Sequence, residues 1–175
     1  MKLYLFCVMA LLIGGITVIC TESLRIVPLV TDSEVFVSFE LADAYTEVVR
    51  EAISSGLRTT FTYDVELRMV APLWVDRTIA TALVSTSDQY DNLTRRHMLS
   101  RTVDGRTEGA LVTDNESMVR QWLTTFARLP LCRTSKLDSS RDYYVSVSAR
   151  SRPRGDSLLG WANTITGQVK FTFIP

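Results

Sequence analysis

Between Thr60 and Met69 apolar and polar residues alternate without a slip: Phe61, Tyr63, Val65, Leu67 and Met69 on one side, Thr60, Thr62, Asp64, Glu66 and Arg68 on the other. A period of two sorts these residues onto the two faces of a pleated strand, whereas a helix would scatter both sets around its axis. The segment is therefore read as a strand with one face buried and one wet, the pattern of an antiparallel sheet packed on one side. Pro72 closes it. The same alternation recurs in Glu34–Leu41, where Val35, Val37, Phe39 and Leu41 alternate with polar residues apart from Phe36, and again in Leu93–Val103 and Tyr143–Ala149. Val169, Phe171 and Phe173 mark a last strand. Residues 74–89, rich in Thr, Val and Ile, read as another. Asp104-Gly105 is a hairpin-type dipeptide leading into a short strand near Glu108–Val112.

Two segments switch to helical spacing. Asp43 is a good N-cap, and Tyr45, Val48, Val49, Ala52 and Ile53 recur as one stripe before Gly56 supplies a stop. In the second, Asp114 or Asn115 can cap a stripe of Met118, Val119, Trp122, Leu123 and Phe126. That helix is predicted to run to Leu129-Pro130, because the residue before proline avoids helical geometry. Strand runs outnumber helices and short turns join them. The expected fold is α+β, mainly β: an antiparallel sheet of about six to eight strands, curled or sandwich-like, covered by two amphipathic helices.

The N-terminal segment bears on compartment. After Lys2, an uncharged and predominantly apolar run of 18 residues extends from Leu3 to Cys20. It exceeds the apolar region of a secretory signal, about 7–15 residues, and sits near the lower limit of a membrane span, about 17–25 residues. Gly14 and Gly15 weaken it as a helix, and Val18 and Cys20 offer the small positions that precede a cut. Residues 1–20 are thus read as a signal peptide or N-terminal membrane anchor, with cleavage after Cys20 favoured. Acylation of Cys20 is disfavoured by the bulk of Ile19. Residues 21–175 are expected to form a single exported domain, periplasmic or held at the outer face of the inner membrane of a bacterium.

The exported part keeps only Cys132 of three cysteines, so no internal disulfide is expected. Nineteen basic and nineteen acidic residues balance, which gives no reason to expect nucleic acid as a partner. His97 is the one histidine, and with a single exported cysteine no paired ligand spacing for zinc exists. Neither a Gly-x-Ser-x-Gly elbow nor a phosphate-binding glycine loop occurs among the eight glycines. His97 is accordingly read as a surface or rim residue, and no catalytic residue, cofactor or metal is assigned. Arg95, Arg96, Arg101 and Arg106, with Arg141, Arg150, Arg152 and Arg154, would form one positive surface, suited to contact with the anionic headgroups of a membrane surface or with an acidic partner, only if their strands lay side by side; protection of strand edges is the favoured reading. Arg154-Gly155-Asp156 is taken as an exposed turn. Trp122 is expected in the core. Trp74, after Pro72 and before Asp76-Arg77, and Trp161, in a glycine-flanked loop, are the candidate exposed aromatics.

Several spaced segments occur in one order: Leu73-Trp74-Val75-Asp76-Arg77, Tyr90-Asp91-Asn92-Leu93-Thr94-Arg95, Gln121-Trp122-Leu123, Leu129-Pro130-Leu131, Tyr143-Tyr144-Val145 and Phe171-Thr172-Phe173-Ile174-Pro175. With them the chain resembles, over about residues 33–175, the bacterial exported family catalogued as domain of unknown function 4390. The resemblance implies a small, signal-bearing protein without assigned activity, and supplies no catalytic residues. The expected function is a non-enzymatic envelope module that binds another protein, with a link to envelope signalling, and with Trp74, Asp76, Arg77 and Trp161 as the candidate contact. The alternatives are a carrier of a small apolar or lipid ligand, and then a hydrolase with a site near His97 or the carboxylates.

Overall fold

The computed structural model describes residues 23–72, 75–153 and 164–173. Among the described residues nine strands and two α-helices follow in order: β1 (Leu24–Val30), β2 (Glu34–Leu41), α1 (Glu47–Ser54), β3 (Thr59–Met69), β4 (Arg77–Asp91), β5 (Arg96–Val103), β6 (Arg106–Thr113), α2 (Glu116–Thr124), β7 (Thr125–Arg133), β8 (Asp142–Pro153) and β9 (Thr164–Thr172). All strand pairs are antiparallel, in a six-stranded sheet of order β6-β5-β4-β3-β8-β9 and a three-stranded sheet of order β1-β2-β7. The fold is mainly β, as expected, but the layer over the main sheet is a second sheet with two short helices beside it. Neither sheet closes into a barrel.

The alternation in β3 does what its pattern requires. Phe61, Tyr63, Val65 and Leu67 are buried, and they meet Tyr143, Val145, Val147 and Ala149 of β8. Val35, Val37, Phe39 and Leu41 of β2 cover them from the smaller sheet, forming one apolar core with Leu24, Ile26 and Leu129. Phe39 lies with its ring centroid 4.9 Å from that of Tyr63 and 5.7 Å from that of Phe126. At Gly167 of β9 the two sheets come close: a Cβ there would stand 3.2 Å from Leu24 and 3.3 Å from Ile26.

Turn chemistry sets the hairpins. Asp104 and Gly105 both take positive φ, 49° and 77°, as a two-residue β5–β6 turn demands. Gly56, with φ 83°, ends α1: its N–H donates to Ile53 and that of Leu57 to Ala52, the paired bonds of a Schellman stop. The cap at the other end is Thr46, whose hydroxyl accepts from Val49 N–H, while Asp43 occupies a positive-φ turn instead of the expected cap. For α2 the cap is Asn115, accepting from Ser117 and Met118.

Two elements depart from the sequence reading. β1 was not foreseen, because Pro28 interrupts its short alternation; Pro28 is tolerated since β1 is an edge strand, with β2 on one side only. The second helix stops at Thr124, and Thr125–Arg133 is strand β7, with Pro130 inside it. Pro130 sits beside a register irregularity against β2, a place where a strand tolerates a residue without an N–H.

The chain passes from α2 to β7 without a glycine, so the last carbonyls of the helix need other donors. Side chains from the main sheet supply them. Tyr63 donates its hydroxyl to Leu123 O at 2.6 Å and Thr86 to the same oxygen at 3.1 Å. Arg101 donates to Trp122 O at 2.8 Å and Thr125 O at 3.0 Å, with its guanidinium carbon 4.5 Å from the Trp122 ring and 4.7 Å from that of Phe126. Three strands thereby clamp one helix end.

Candidate functional site

β4 and β5 form a hairpin in which Tyr90 faces His97 and Asp88 faces Leu99. Residues two apart on neighbouring strands share a face, so Asp88, Tyr90 and His97 come together on the inner side of the sheet. The Asp88 side chain is wholly buried, and its Oδ2 lies 2.7 Å from His97 Nδ1. With Asp88 ionised, Nδ1 carries the proton and donates. Tyr90 packs on the imidazole with ring centroids 4.7 Å apart. The His97 side chain is only 13% exposed, which leaves the rim and not the open surface of the two placements expected for it.

A cleft of about 370 Å³ opens above this pair, between α1 and the β4–β5 hairpin. Tyr45, Tyr90 and His97 line it with Glu47, Arg50, Glu51 and Ile53 of α1, Arg95 of the hairpin turn, and Asp114 and Glu116 at the start of α2. Arg50 bridges the two helices, paired with Glu47 and 3.8 Å from Glu116. The Tyr45 hydroxyl is pushed up to about 12, by burial first and then by the negative charges of Glu116 and Asp88. Burial likewise raises Asp88 above the ordinary carboxylate range, against the opposing pull of His97 and the Gln89 N–H. The cleft is thus polar, of mixed charge, and floored by a histidine whose one ring hydrogen bond among the described residues goes to a buried carboxylate. Such a floor can hold a proton, orient a polar group or take part in an ion pair. Among the described residues no group of three His, Cys, Asp or Glu side chains is placed to hold a metal ion.

The residues singled out in the sequence fall elsewhere. Trp74 and Trp161 lie outside the described residues, as does Arg154-Gly155-Asp156. Asp76 is engaged internally: its carboxylate accepts from Ala71 N–H at 3.1 Å and from the Tyr144 hydroxyl at 2.9 Å, bonds that hold it below its ordinary range. Arg77 is exposed at the start of β4, eleven residues and roughly 36 Å of extended strand from Asp88. The structure therefore does not bring Asp76 and Arg77 to the cleft. Nor, among the described residues, do the arginines gather into one surface. Arg101 faces inward on Trp122, Arg150 pairs with Asp64 on the outer face, and Arg95 and Arg106 stand at opposite ends of β5. Cys132 is half-buried and free, its thiol raised by burial.

Asp88 was missed because nothing in its neighbours marks it. The signal was the hairpin register: a turn over residues 92–95 sets 90 opposite 97, and hence 88 on the histidine's face.

No curated protein and no solved structure gives a significant match. One domain family does match, over residues 21–154, a stretch that takes in β1, the cleft and β8 and stops short of β9. That match covers well over half of the chain, which therefore belongs to the family described as Domain of unknown function (DUF4390).

Proposed function

We propose that this protein is a non-catalytic binding module of the bacterial cell envelope, exported by its N-terminal segment, and that it receives a protein partner at the cleft over Asp88 and His97. The observation that carries the reading is the lining of that cleft. Charged side chains of both signs alternate there with two tyrosines in an open depression. This suits the ends of polar side chains on a partner surface, with aromatic anchors and paired charges setting specificity. An apolar carrier would instead need an enclosed apolar cavity. A hydrolytic second reading draws on the same pair, since a buried carboxylate fixing a histidine is the orienting half of a catalytic triad. It would need a nucleophile or an activated water at the other ring nitrogen.

The test is crosslinking in the native host, followed by affinity purification of the tagged chain and mass spectrometry. One recurrent envelope protein should be captured by the native chain and lost with Arg50→Glu or Glu51→Lys, both at exposed positions that leave the core intact. The Trp74→Ala/Trp161→Ala variant tests the alternative contact. Capture unchanged by the cleft variants would sink the site assignment.

A further inference from the structure

The smaller sheet has an outer face that nothing in the chain's described residues covers. In β1 the buried Leu24 and Ile26 alternate with the outward Arg25, Val27 and Leu29; Val27 is 47% and Leu29 43% exposed. Register places Leu29 opposite Phe36, and Phe36 opposite Pro130, so one apolar row crosses all three strands. The guanidinium carbon of Arg128, a residue at φ 56°, lies 5.0 Å from the Phe36 ring centroid. Arg25 stands in register with Glu40 and Arg133 with Glu34, so acidic side chains at the two ends are matched by basic ones.

We propose that this face rests on the lipid bilayer in which the apolar segment Leu3–Cys20 is anchored. The inference rests on the envelope location in the reading above, and takes residues 1–20 as a retained membrane anchor, the alternative to cleavage after Cys20. Three residues, Thr21-Glu22-Ser23, separate Cys20 from Leu24. Four chain steps reach at most about 14 Å, so an anchored segment holds the start of β1 close to the membrane surface. The inner face of β1 is packed on β9. Its outer face is the surface that a tether of this length can lay against lipid. There Val27, Leu29, Phe36 and Pro130 meet the acyl boundary while Arg25 and Arg128 reach the headgroups, the arrangement of an interfacial element with an apolar body and a charged rim, in which Glu40 and Glu34 stand beside Arg25 and Arg133. A second apolar pair, Met98 opposite Val112, is exposed on the outer face of the main sheet, away from the tether. It serves as the internal control.

The experiment uses the full chain reconstituted in vesicles of phosphatidylethanolamine and phosphatidylglycerol. With Cys7, Cys20 and Cys132 replaced by Ala, Val27→Cys, Leu29→Cys and Val112→Cys variants carry a polarity-sensitive fluorophore, read against doxyl-labelled lipid. Blue-shifted emission and loss of intensity are expected at 27 and 29, with neither at 112. The form made in the host is examined alongside. If the N-terminal segment is cut and the chain leaves the membrane fraction, both the anchor and this inference fall. An anchored chain whose 27 and 29 probes stay as water-exposed as 112 overturns the inference alone and leaves the binding-module reading standing.

Discussion

At the scale of single residues, the side chains that clamp the end of α2 illustrate how buried polar groups act. Tyr63 is 1% exposed and its hydroxyl has one acceptor, Leu123 O. Burial pushes that hydroxyl well above the ordinary tyrosine range, so it stays a donor. Tyr63→Phe removes the shorter of two bonds to that carbonyl and is expected to lower stability by about 1 kcal/mol in urea unfolding. Arg101→Lys should be more damaging, about 1–3 kcal/mol, because an ammonium cannot span the two carbonyls while stacking on Trp122. A lysine that left stability unchanged would show that the clamp is incidental. Asp88 makes a pH prediction. Its raised affinity for a proton in the folded chain means that stability falls as pH rises from the ordinary Asp value, about 4, to the raised one. Asp88→Asn should remove that fall, read as the difference between the melting temperatures of the two proteins across the acid range. Asp76 acts in the opposite sense. Held low by Ala71 N–H and Tyr144, it contributes stability that is present above its ordinary value and lost as pH drops through the lowered one.

At the scale of elements, the helix-to-strand junction and the sheet-to-sheet contact decide the architecture. A stripe from Met118 to Phe126 reads as one helix by spacing alone, yet Phe126 belongs to β7 and faces Phe39. Pairing with β2 offers residues 125–133 a ladder and a place in the core, and that outweighs local helical preference, which is worth only tenths of a kcal/mol per residue. The contact of β1 with β9 depends on Gly167 having no side chain. Gly167→Ala should be tolerated at a loss of about 1 kcal/mol or less, since the ends of Leu24 and Ile26 can give. Gly167→Val should lose about 1–3 kcal/mol by overpacking and expose β1 to hydrogen exchange. Equal stability of the two variants would mean that β1 is not held by that contact.

At the scale of the whole molecule, the period of two along β3, β2 and β8 was enough to set strand identity, inward faces and an antiparallel, mainly β fold, because alternation is a local property that survives any tertiary arrangement. Asp104-Gly105 and Gly56 were legible for the same reason: positive φ at low strain belongs to few residues. Strand partners were not legible. Whether β2 joins β3 in one sheet or crosses to pair with β7 depends on contacts about ninety residues apart, for which alternation carries no address. His97 read alone on a strand resembles any rim histidine, and only the β4–β5 register, with α1 laid above it, brings Asp88, Tyr90 and Tyr45 around it. Residue periodicity and turn chemistry thus determined the elements of this protein and which side of each is buried. The division into two sheets, the stop of α2 and the laying of α1 over the Asp88–His97 pair were decided by the tertiary structure, because each rests on groups far apart in sequence satisfying one another only after the chain has packed.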